Sequence, residues 1–136
     1  MSEVVLCDVS RAGHELGRRT VHDLPARASI RAILEQMIRT EVATYNADPG
    51  PVYVGFVQPE DAMRYSDGHR MRRPRTLDAD RFVQAAVEAV GAGLLRFRID
   101  DAAETDDLDQ VVDVDAVGRI VAVLERPVVA RDAAPG

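Results

Sequence analysis

Lysine is missing from this chain, and all 17 of its basic side chains are arginines. With no side-chain amine for isopeptide formation, the protein cannot be built into lysine-linked chains of itself. Cysteine is nearly missing as well. The single Cys7 excludes an internal disulfide and a cysteine-rich zinc site; set in a β-branched run, it is expected to be a buried small hydrophobe. No apolar run approaches the length of a membrane span. The opening residues, MSEVVLCDV, have no basic segment ahead of the apolar ones and no small-residue cleavage site, so a cytoplasmic protein is expected rather than a secreted one. The glycines form neither a phosphate loop nor a dinucleotide fingerprint, and no serine sits in a nucleophile elbow. No catalytic or cofactor-binding residue is nominated on these grounds, and the chain reads as non-enzymatic.

What is present is charge, unevenly spread. The 136 residues have the size of one domain and a net charge of -6, a balance that disfavours nucleic acid as the main partner. Six arginines lie from Arg64 to Arg81, while eight acidic residues and no basic one lie from Asp100 to Asp115. The acidic stretch DDAAETDDLD lacks the glycine and the closing glutamate of a calcium loop. It reads as a solvated loop anchored by Leu108. His14, His22 and His69 show no ligand spacing, so no metal site is nominated. The sharpest feature is HRMRRPR, in which Arg70, Arg72, Arg73 and Arg75 are the candidate interaction residues, suited to an acidic protein surface or to phosphate. The nearest aromatic, Tyr65, stands outside that run, which leaves bases nothing to stack on.

Residues 3–9 and 18–24 are extended segments joined through Gly13 and Gly17, the pattern of a hairpin. Pro25 ends the second strand. Ser29 is placed to cap a helix running to about Asn46, with Ile30, Ile33, Leu34, Met37, Ile38, Val42 and Tyr45 on one face. ADPGP breaks that helix and VYVGFV reads as a short strand. Residues 59–76 are polar and turn-rich, with a tight turn expected at Asp67 and Gly68. A second helix, capped by Asp78 or Thr76, turns Phe82, Val83, Ala86, Val87 and Val90 to one side and stops at Gly91 or Gly93. LLRFRID alternates as a strand, with Leu95, Phe97 and Ile99 inward and Arg96 and Arg98 outward. Strands at 111–114 and from 119 to about 126 complete the chain.

A hairpin, a long helix and a last strand that ought to lie centrally is an order that resembles the β-grasp (ubiquitin-like) fold. In the last third, Asp113, Asp115, Val117, Val121, Val123, Pro127 and Val128 resemble the ending of its sulfur-carrier branch, the small molybdopterin-synthase and thiamine-biosynthesis carriers. The likeness covers residues 3–46 and 94–129 and leaves 47–93, with the extra helix, as an insertion. The chain also resembles a set of uncharacterised bacterial proteins that share a segment like GFVQPED and one like DLD.

The resemblance implies an α+β fold, a mixed sheet with one long helix across it, in a single domain of residues 1–129 with a flexible tail at 130–136. Carriers of that branch end in a diglycine directly after the Pro-Val stretch. Here Val129, Ala130 and Arg131 follow instead, and glycine comes only at Gly136 behind Pro135, which restricts the close approach a carrier terminus needs. The expected function is that of a non-catalytic ubiquitin-like module working through contact with a protein partner. Two alternatives stand beside it: a modifier or sulfur carrier activated at Gly136, and an RNA- or phosphate-binding accessory acting through the arginine loop.

Overall fold

A β-branched apolar run at the start of the chain makes strand β1 (Ser2–Ser10), and a turn through Gly13 returns it as β2 (Glu15–Leu24). The computed structural model describes residues 1–131. After a short β3 (Arg27–Ser29), the Ser29 hydroxyl accepts the Ala32 amide at 3.1 Å and opens helix α1 (Ile30–Ala47). Its buried residues are the seven that the helical spacing assigns to one face. Four short strands follow, β4 (Val52–Tyr53), β5 (Gln58–Pro59), β6 (Ala62–Tyr65) and β7 (Gly68–Met71). Asp78 then caps α2 (Ala79–Gly91). The rest is extended: β8 (Leu95–Ile99), β9 (Val111–Asp113), β10 (Arg119–Leu124) and β11 (Val129–Ala130).

The main sheet has the order β2-β1-β10-β8, with β10 parallel to β1 and the other two pairings antiparallel. The described residues therefore form an α+β fold with a mixed sheet and two helices. Because side chains alternate along a strand, the sheet has two distinct faces. Val4, Leu6, Ile120, Ala122, Leu124, Leu95 and Phe97 join the α1 face in one core. Val5, Cys7, Val9, Val121 and Val123 point the other way and stay outside that core. Leu108 is buried, and its carbonyl accepts the Arg31 amide at 2.9 Å, so it anchors the acidic stretch as expected.

Three local expectations need correction. VYVGFV is not one strand, since only Val52 and Tyr53 are paired there and the chain turns before β5. The supposedly irregular residues 59–76 contain the β6–β7 hairpin, closed at Ser66-Asp67, one residue ahead of the expected Asp67-Gly68, in a three-stranded sheet of order β4-β7-β6. The last long strand stops at Leu124, and the chain pairs again at Val129 and at Ala130, the first residue of the expected tail, which run parallel to Gln58 and Pro59. Ala130 and Val128 are buried, so Ala130 is part of the packed body.

Candidate functional site

The four nominated arginines do not form one cluster. Arg70 lies in β7, where it pairs with Asp67 at 2.7 Å and its guanidinium sits 5.4 Å from the centre of the Tyr65 ring. Arg75 pairs with Asp61 at 2.9 Å. Arg72 and Arg73 are exposed and make no ion pair with a described residue. Two of the four arginines are thus paired with acids in or just before their own hairpin, Arg70 with Asp67 and Arg75 with Asp61. Tyr65, which sequence spacing set apart from the arginines, is carried beside Arg70 by the hairpin. Gly136, the candidate carrier terminus, lies outside the described residues.

A second arrangement was not legible beforehand. Beneath α1, Asp8 of β1 is 3% exposed and receives a hydrogen bond from Arg19 of β2 at 2.5 Å. Arg19 also approaches Glu41 of α1 at 3.2 Å, and the other Glu41 oxygen accepts the Phe56 amide at 3.0 Å. One arginine therefore joins the hairpin, the long helix and the loop after β4. Asp8 faces Gly17 across the hairpin; a Cβ at Gly17 would come within 2.9 Å of Asp8 Oδ1 and 3.0 Å of Arg19 Nη2, so only glycine leaves the carboxylate its room. Burial pushes the Glu41 carboxyl up to about 7 against the opposing pull of Arg19.

Next to this cluster, His69 of β7 is 2% exposed, and its Nε2 lies 3.1 Å from the Gly55 carbonyl. Nε2 carries the proton there, since a carbonyl can only accept. Burial lowers the His69 pKa and raises that of Tyr53, whose ring lies 6.2 Å from it. Both groups are neutral at physiological pH. The set combines shifted acids and bases near a cleft of about 190 Å³, a pattern that marks many active sites. Its charged members, however, are already engaged with one another: Arg19 spans both acids, and each Glu41 oxygen has a partner. The arrangement is suited to holding three elements together. Among the described residues no three His, Cys, Asp or Glu side chains are grouped to hold a metal ion, and no helix is long and apolar enough to cross a membrane.

The third arrangement is the face of the main sheet turned away from α1. The strand registers set its side chains in rows: Arg18, Cys7, Val121, Arg98; Glu15, Val9, Val123, Arg96; and Thr20, Val5, Arg119. An apolar strip two strands wide is flanked by arginines. Cys7 and Val121 are buried between the longer side chains of their row, whose aliphatic stems can lie along apolar surface. Arg18 pairs with Glu15 at 2.8 Å, whereas Arg96, Arg98 and Arg119 make no side-chain ion pair among the described residues. A cleft of about 300 Å³ opens over Cys7, Val9, Val121 and Val123, with Arg98 and Arg119 on its wall together with Glu15 and Glu104. Compared with protein-family models and with curated proteins, the chain matches none.

Proposed function

We propose that the protein is a non-catalytic, ubiquitin-like (β-grasp) interaction module that holds an acidic segment of another protein on the uncovered face of its main sheet. The hairpin, the helix across the sheet and the last long strand running parallel beside the first support the fold reading. The observation that carries the function is the set Arg96, Arg98 and Arg119, unpaired around an apolar strip in a chain of net charge -6. Ion pairs elsewhere join distant segments, Arg11 with Glu125, Arg31 with Asp109 and Arg39 with Asp80, whereas these three arginines on one face are left available to a partner. Guanidinium forks match carboxylates two bonds at a time. The strip between them suits small aliphatic side chains from the same segment.

Two other occupants fit less well. Nucleic acid would find phosphate-binding charge on this face but no aromatic ring to stack on, since the rows contain none. A second copy meeting face to face would set arginine against arginine. The test uses a fluorescein-labelled peptide of alternating valine and aspartate with the purified chain. Anisotropy should report binding that weakens as salt is raised and falls at least tenfold in the Arg98→Ala/Arg119→Ala double variant. Equal binding by that variant, or none at low salt, overturns the reading.

A further inference from the structure

Six large apolar side chains stand exposed among the described residues, and three of them lie in or beside the inserted β4-β7-β6 sheet: Met63 and Tyr65 in β6, at 66% and 49%, and Val54 directly after β4, at 69%. They share its outer side. Met63 opposes Arg70 and Tyr65 opposes Gly68 in the hairpin register, while Val52 meets Arg70 from β4. A Cβ at Gly68 would lie 3.0 Å from Val52 and 3.2 Å from Val54, which sets both valines on that side too. Tyr53, His69 and Met71 alternate to the other side and are buried. A small sheet that had only to cover the core would have polar residues outward. This one exposes methionine, tyrosine and arginine, residue types enriched in protein interfaces.

The charges around this patch decide its occupant. Glu60, Asp61, Met63, Tyr65, Arg70 and Arg72 line one depression of about 540 Å³, with Asp67 against Arg70. Acids and arginines stand on the same side in similar number. A patch with a clear excess of one sign needs a partner of the other sign, as on the open face of the main sheet, where Arg18, Arg96, Arg98 and Arg119 outnumber Glu15 and Glu104. A patch carrying both signs around an apolar centre can satisfy itself, because a twofold axis brings each group against a different group of the same patch. We propose that this side of the insertion binds a second copy of the chain in a twofold dimer, Met63 and Tyr65 at its centre and the acids of each protomer against the arginines of the other. A phosphate backbone is the poorer occupant, since Glu60, Asp61 and Asp67 repel it and one face of the only aromatic ring is covered by Arg70.

Sedimentation equilibrium of the purified chain tests this between about 1 μM and about 1 mM. The mean mass should rise with concentration from that of the 14.9 kDa chain towards twice it. Met63→Glu should hold the protein at monomer mass throughout, and Tyr65→Ala should raise the dissociation constant at least tenfold. Both side chains are exposed in the monomer, so far-ultraviolet circular dichroism and melting should be unchanged. The Arg98→Ala/Arg119→Ala variant should dimerise like the natural chain, which separates this proposal from the acidic-partner reading. A monomer at every concentration overturns the proposal, as does a dimer that Met63→Glu leaves intact. Binding of a labelled oligouridine by the monomer through Tyr65 would also overturn it, by assigning the patch to nucleic acid.

Discussion

On the helix side of the main sheet Arg19 shares two carboxylates, while on the open side Arg96, Arg98 and Arg119 share none. The two sets stand on strands of the same sheet, a few ångströms apart through its thickness. The difference is solvent. A charge taken out of water costs several kcal/mol unless it is paired and hydrogen-bonded, so the inner face tolerates arginine only within a complete set of partners. On the outer face water serves each guanidinium, and the absence of a partner costs little. Pairing is therefore a requirement of burial, and it is the unpaired set that retains the capacity to recognise something else.

Breaking the inner set should have the largest effect. Arg19→Ala would leave Asp8 buried without its cation, and urea unfolding should register a loss of about 3–5 kcal/mol. Replacing both partners, Asp8→Leu with Arg19→Leu, should recover at least half of that, because no buried charge is then stranded. No such recovery would mean that shape and not charge sets the cost.

A smaller effect should come from pH. The Glu41 carboxyl, at about 7 in the folded protein against an ordinary 4.5, holds a proton that the unfolded chain releases between those values. Its contribution is fully present below pH 4.5 and is lost as the pH rises through 7. Glu41→Gln should reduce the stability difference between pH 4.5 and pH 8 by about 3 kcal/mol, measured by urea unfolding at both. An unchanged difference would show that Arg19 compensates the ionised form in full. Smaller again is Gly17→Ala, expected to cost about 1 kcal/mol as the new methyl displaces the Asp8 carboxylate, checked in the same assay. Smallest is Arg98→Ala on the open face. It should change stability by no more than about 0.5 kcal/mol while weakening the labelled acidic peptide, so that binding and folding respond to opposite faces.

How far the chain could be read in advance follows the same physics. Helix α1 was fully legible, because seven apolar residues at helical spacing admit only one buried face. The outward setting of Arg96 and Arg98 was legible from strand alternation in LLRFRID. The sheet of residues 52–71 was not, since strands of two to four residues are too short to display a period. Asp8, Arg19 and Glu41 were missed because pairing across three elements leaves no mark in local spacing. A signal did exist: Asp8 continues the inward alternation of Val4 and Leu6, and Glu41 lies one helical turn from both Met37 and Tyr45, each buried. A charge in phase with the core is a charge that needs a partner there.

The parallel pairing of β1 with β10 has a mechanical consequence. The chain enters the sheet at one end of β1 and leaves it at the opposite end of β10, with the two strands bonded side by side from Val5 against Arg119 to Ser10 against Leu124. A pull applied between the N-terminus and the far end of β10 therefore runs along both strands and shears them. All of the hydrogen bonds between them share the load and must yield nearly together, whereas strands pulled from one end open bond by bond. Tension applied beyond β11 would first detach that two-residue strand from β5, and the four-stranded sheet would be the element that resists.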